Sequence, residues 1–161
     1  MGGMHRDLLI LRDPKESWKR CSLAPLREVE GVRFVTWHPE LELDVTGRVL
    51  LDPAAPVLER GELGVDEDGR FACPLFLIDS SWRRLATLRR AVVGEPIPRA
   101  LPRLATAYPR RSTTFDDPEQ GLASIEALFA ATCVAGAPDH ALLAGYHFKD
   151  AFLAANPGLA S

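Results

Sequence analysis

The sequence predicts an α/β fold organised around a mostly parallel sheet. Short apolar runs rich in branched residues, each bounded by turn formers, read as buried strands. Between and after them lie stretches whose apolar residues recur three or four apart, the helical period. Parallel neighbours need crossover segments of a dozen or more residues, so strands interleaved with helical patterns favour parallel pairing. A chain of 161 residues fits a single domain spanning 1–161. A domain of that size buries roughly 70% of the surface its unfolded chain exposes, enough for a core without disulfide staples.

The expected strands are Leu8 to Leu11, Val32 to Thr36, Val49 to Leu51 and Leu75 to Ile78, with a further one at Leu104 to Tyr108. The first expected helix is Trp82 to Val92, where Trp82, Leu85, Leu88 and Val92 make an apolar stripe and Ser80 or Ser81 supplies an N-cap. A second runs from about Leu122 to Ala135 and stops at Gly136, with Pro138 beyond. A third covers Asp139 to Ala155 and ends at Asn156-Pro157-Gly158. Asp52 to Pro56, Gly64 to Gly69 and Glu95 to Pro102 are rich in Pro, Gly or acids and read as loops.

Charge is uneven along the chain. The net value is −3, yet residues 83 to 111 hold eight arginines and one acid, Glu95. Such a cluster is either a solvated face or a phosphate-binding strip; the acidic whole lacks the broad basic bias of a general nucleic-acid binder. Three cysteines without a CxxC pair fit a reducing compartment, and the four histidines show no metal spacing. No apolar run nears the ~20 residues of a membrane span. A cytoplasmic location without membrane or metal partners is the expectation.

In open α/β sheets ligands gather beyond the carboxyl ends of strands, which singles out Asp79, directly after Leu75 to Ile78. Its plainer role is a cap for the helix that follows. Trp82 suits stacking on a ligand, although a Trp on a helix stripe usually packs in the core. Glu126 reads as structural, either bonded to a loop or exposed on its helix. Cys21 reads as a small packed residue, and the Asp116-Asp117 pair before Pro118 as a turn.

Several motifs occur together in order. Leu51-Asp52-Pro53 is followed by Asp79-Ser80-Ser81-Trp82, by the Arg-x-Leu-Pro-x-Leu segment at Arg99 to Leu104, and by Leu122, Ser124, Glu126 and Ala127 at a helix start. The set closes with Tyr146-His147-Phe148-Lys149-Asp150-Ala151-Phe152-Leu153-Ala154-Ala155-Asn156. This ordered set resembles the Tsr3 family of RNA aminocarboxypropyltransferases over about Arg48 to Leu159. Lys19-Arg20-Cys21-Ser22 matches more weakly, so the resemblance is strongest over 48–161 and weak over 1–47. Asp79 to Trp82 is also similar to the Asp-x-Thr-Trp signature of the DTW-domain tRNA-uridine aminocarboxypropyltransferases. The chain departs from the Tsr3 pattern at Ala107 to Thr113, and near the end at Phe148-Lys149, which stand where that family has Trp-Gly.

The resemblance implies a SPOUT-like fold with a C-terminal trefoil knot, an arrangement that periodicity does not reveal. It implies S-adenosylmethionine (SAM) as donor of a 3-amino-3-carboxypropyl group to a uridine or pseudouridine nitrogen of structured RNA, with rRNA favoured over tRNA. Carried over by position, Leu51, Pro53, Trp82, Leu104, Leu122, Ala123 and Ser124 would form the SAM pocket, with Ser22 near the amino acid end of SAM. Asp79 is the candidate general base, although an ordinary carboxyl near pKa ~3.9 is poorly matched to a weakly acidic imide unless burial raises it. It could instead orient the amino group of SAM. Arg83, Arg84, Arg110 and Arg111 are the candidate RNA contacts. A tRNA-modifying enzyme, a SPOUT-type methyltransferase and a non-catalytic binding module stand as alternatives.

Overall fold

The structure, a computed structural model, describes residues 5–59, 62, 72–107, 122–136 and 138–159. Strands β1 (His5–Arg12), β2 (Val32–Thr36), β3 (Leu43–Asp44), β4 (Val49–Leu51) and β5 (Ala72–Asp79) precede helix α1 (Leu85–Arg89). Two short strands follow, β6 (Val92–Val93) and β7 (Ile97–Arg99), and then helices α2 (Ser124–Val134) and α3 (Lys149–Ala155). The main sheet has the order β2-β1-β5-β4-β7, while β3 and β6 pair separately. Every pairing among these described strands is parallel.

Burial on both faces explains why the central strands are apolar without alternation. Leu8 and Ile10 of β1, Leu75 and Leu77 of β5 and Val49 of β4 pack on one side with Ile125, Leu128 and Phe129 of α2 and Phe152 of α3. Leu9, Leu11, Phe76 and Leu50 face the other side and meet Leu88, Ala91 and Val45. Because side chains alternate at a period of two, a one-residue slip would exchange these two sets, so register and core composition fix each other. Gly31 opens β2 at φ +86, and a Cβ there would lie 2.7 Å from the Arg6 carbonyl oxygen. Gly136, at φ +87, ends α2 where the sequence placed the stop, its N–H donating to the Cys133 carbonyl.

The four strands expected at residues 8–11, 32–36, 49–51 and 75–78 are present; β1 and β5 run longer than expected. Five other expectations are corrected. The helix predicted over 82–92 shrinks to α1, because the backbone of Ala91 and Val93 accepts hydrogen bonds from Leu43 and Val45 and joins the small sheet. Neither Ser80 nor Ser81 caps it; Arg84 occupies the N-cap position without a side-chain bond. The strand expected at 104–108 is absent through residue 107, and Tyr108 lies outside the described residues. The strand lies upstream instead, as β7, inside a segment read as a loop because of its prolines; Pro98 is tolerated there because β7 is an edge strand. The third helix is interrupted: a 3-10 turn at His140–Leu142 is separated from α3, and between them Gly145 passes so close to Pro25 that a Cβ would approach the Pro25 side chain at 2.7 Å.

Candidate functional site

The carboxyl ends of β5, β4 and β7 lie side by side in the sheet, and the segments leaving them enclose a cavity of about 580 Å³. Small-molecule sites typically occupy ~300–1,000 Å³ and favour this edge of a parallel sheet. Leu51, Asp52 and Pro53 line it after β4, Ser80, Ser81 and Trp82 after β5, and the run Ala100 to Leu104 after β7. Leu122, Ser124 and Ala127 contribute a wall from the start of α2, and Arg89 and Arg103 bring positive charge to the lining. Leu51, Pro53, Trp82, Leu104, Leu122 and Ser124 were all singled out by sequence, and they meet in this one cavity. The core placement expected of Trp82 is overturned: α1 begins three residues after it, so the indole leaves the helix stripe and is 47% exposed.

Asp79, Ser22 and Ala123 do not line the cavity. Asp79 ends β5 between two lining residues, Ile78 and Ser80, but its carboxylate is turned onto Arg12, whose Nη1 lies 2.8 Å from Oδ2. Arg12 also donates to Cys21 Sγ at 3.0 Å and to the Glu16 carbonyl at 2.9 Å. Next to this pair, Asp13 receives Arg84 Nε at 3.0 Å. Burial pushes the Asp79 carboxyl above its ordinary value, with Arg12 opposing the shift. Burial likewise raises Glu16, reinforced by the charges of Asp79 and Asp13. At Asp13 burial also pushes upward, but the bonds from Arg84 and from the Lys15 amide outweigh it and leave the carboxyl below its usual range. Sequence reasoning missed Arg12 and Glu16. For Arg12 a signal existed, since it follows the apolar run of β1 just as Asp79 follows that of β5.

No protein-family model matches the chain, and no curated protein does. A solved structure does: the SAM-dependent rRNA:acp-transferase Tsr3 from Vulcanisaeta distributa matches over 96% of this chain and 80% of its own, with a TM-score of 0.70 and 26% sequence identity. The chain is a structural neighbour of Tsr3. An α/β architecture on a parallel sheet thus agrees with both the sequence reading and the neighbour. Among the described residues no group of three or more His, Cys, Asp or Glu could hold a metal, and no helix is long and apolar enough to cross a membrane.

Motif residues of the Tsr3 resemblance that stay out of the cavity support its walls. Asn156 clamps Ala105, accepting from its N–H at 2.9 Å and donating to its carbonyl at 2.8 Å. Glu126 is fully buried and accepts from Thr106 Oγ1, the Ala107 amide, the Ala123 amide and the Tyr146 hydroxyl. Residues 105–107, expected as strand, therefore have backbone groups satisfied by side chains. Glu126 reaching back to Ala123 makes half of a capping box; Ala123 has no side-chain oxygen to complete it. Ser22 provides the missing acceptor from a distant segment, taking the Ile125 N–H at 3.3 Å. Ser22→Ala is accordingly expected to lower stability by about 1 kcal/mol in urea unfolding, and an unchanged midpoint would remove this capping role.

The arginines predicted as RNA contacts separate. Arg83 is exposed, its guanidinium 5.8 Å from the Trp82 ring centroid. Arg84 is committed to Asp13 and lies 5.3 Å over the Trp37 ring. Arg110 and Arg111 lie outside the described residues, as do Asp116-Asp117 and the loop at 64–69.

Proposed function

We propose that this chain is a SAM-dependent aminocarboxypropyltransferase that modifies a uridine or pseudouridine nitrogen in structured RNA, rRNA in the first instance, and that it works in the cytoplasm. The observation that carries this reading is the convergence of six motif residues on one cavity, in a fold whose neighbour is a SAM-dependent rRNA:acp-transferase. The knotted, SPOUT-like chain path belongs to the same reading, as does a single domain over 1–161.

The donor set fits the ligand class. Apolar walls from Leu51, Leu101, Leu104 and Leu122 suit a nucleoside, the half-exposed Trp82 indole offers a stacking face, and the loop backbones around them offer donors and acceptors. SAM supplies a sulfonium that activates all three attached carbons, so the carbon facing the nucleophile decides which group is transferred. Fixing that presentation is itself a large catalytic contribution, and rigid walls achieve it. The chain's part is to hold those walls, which Asn156 and Glu126 do through the 105–107 segment, and to exclude water behind them. Ser22 and Ala123 act on the same site from behind, by fixing the start of α2. Asp79 places negative charge next to the cavity. Arg83, exposed beside the Trp82 ring, is assigned with Arg110 and Arg111 to RNA phosphates; Arg84 contributes chiefly through Asp13.

The test uses purified protein and cellular RNA lacking the modification, with SAM labelled either in the carboxyl group or in the methyl. Carboxyl label alone should enter RNA. Methyl label alone would make the chain a methyltransferase, and neither label, with SAM unbound, would leave a binding module. If rRNA stays unlabelled while tRNA takes the carboxyl label, the reaction stands and the substrate changes.

A further inference from the structure

We propose that Arg12 is a positioning residue that keeps the Asp79 carboxylate fixed and charged beside the cavity, so that Asp79 serves as a standing negative charge and not as the proton acceptor. The proposal rests on the transferase reading for its consequence, but its geometry is independent of that reading. β1 and β5 run parallel with Arg12 opposite Asp79 in the last pair of their register. Arg12 is only 4% exposed, and its guanidinium is engaged through both terminal nitrogens and one face. Nη1 is shared between Asp79 Oδ2 and Cys21 Sγ, Nη2 donates to the Glu16 carbonyl, and the plane sits 3.5 Å over the Trp18 ring. Trp18 in turn is fixed by an edge contact to Phe34 and by Arg27 on its ring.

A guanidinium restrained in this way cannot swing off Asp79 without giving up several contacts, and a planar fork is the group suited to such shared recognition. The neighbouring charges make its presence decisive. Asp79 is faced by the Cys21 thiol, which donates to Oδ2 at 3.5 Å, and by the charges of Asp13 and Glu16, while Arg84 is bonded to Asp13. Without Arg12, two carboxylates and burial would all favour the protonated form of Asp79. With it, the carboxylate is retained one residue from the cavity wall, where a fixed anion favours a cationic ligand. A sulfonium carrying an ammonium is such a ligand. A carboxylate already bonded to a guanidinium is a weak base, so the nucleophile's proton must leave by another route.

The experiment follows the Asp79 carboxyl by NMR in full-length protein carrying 13C-labelled aspartate, assigned against Asp79→Asn, in wild type, Arg12→Lys and Arg12→Met. Wild-type Asp79 should titrate well below neutral pH. Its midpoint should rise by about 1–3 pH units in Arg12→Met and by a smaller step in Arg12→Lys, which keeps the charge but loses the fork. In parallel, calorimetry with SAM should show affinity about tenfold lower in Arg12→Met than in wild type at a pH below the variant's own Asp79 midpoint, recovering as pH rises through that midpoint and Asp79 ionises. Identical midpoints in wild type and Arg12→Lys, or a wild-type midpoint near neutral, would overturn the proposal even if Arg12→Met does not fold. Should wild type bind no SAM, the transferase reading fails while the titration still decides the role of Arg12.

Discussion

Glu126→Ala is expected to destabilise the fold by on the order of 3–5 kcal/mol, which puts it among the most damaging single substitutions available in this chain. Glu126 is fully buried, and the donors it receives, at 2.6 to 3.0 Å, come from Thr106, Ala107, Ala123 and Tyr146. Alanine would remove the Glu126 acceptor from all four, and a donor left unsatisfied in a buried position costs ~1–3 kcal/mol before local rearrangement. Among the described residues no buried side-chain nitrogen or oxygen lacks a hydrogen-bond partner. Glu126→Gln keeps the shape but turns an amide NH2 toward two donors, and should cost about half as much. Tyr146→Phe, removing one donor, should cost about 1 kcal/mol. Urea unfolding of the three variants checks the ranking; a loss below about 1 kcal/mol for Glu126→Ala would show that these bonds do not hold the site together. Because the same carboxylate fixes 105–107 and Ala123, SAM affinity should fall with stability across the series.

What the sequence disclosed and what it hid follow from the range of the interactions. β1, β2, β4 and β5 were legible because each must bury apolar side chains in a continuous sheet, and that demand is written locally. β3 and β6 are two residues each and exist because their backbones meet; no side-chain pattern records that. β7 was masked by Pro98, whose missing N–H matters in a central strand but not at the sheet edge. The interruption near Gly145 depends on Pro25, far away in sequence. The cavity was legible through motifs, since Leu51, Trp82, Leu104 and Leu122 stand in recognisable segments. Its supports were less so. Arg12 and Asp79 are 67 residues apart, and nothing in either segment names the other. Ser22 was placed near a ligand by resemblance, whereas here its hydroxyl is used by the helix that walls the cavity. Glu126 was expected to be structural, but four donors from three segments converging on one carboxylate cannot be read from helical spacing.

Trp82→Ala is expected to separate affinity from stability more cleanly than any other change at the cavity. The side chain is 47% exposed, precedes α1, and lines the cavity without filling a core position. Truncation should therefore shift urea unfolding by less than about 0.5 kcal/mol, the usual range for surface sites. Stacking of an aromatic side chain on a nucleobase is worth ~1–3 kcal/mol, so SAM affinity should fall by roughly 5- to 150-fold in calorimetry. Trp82→Phe keeps a smaller aromatic face and should recover a good part of the loss, whereas Trp82→Leu restores bulk without a face and should not. That ordering distinguishes stacking from simple filling of space. A Trp82→Ala variant that binds SAM normally but unfolds about 2 kcal/mol more easily would return Trp82 to the core role its helix-like spacing first suggested. If both quantities fall together, the indole supports the cavity wall, and the adenine face must be sought among Leu51, Leu104 and Leu122.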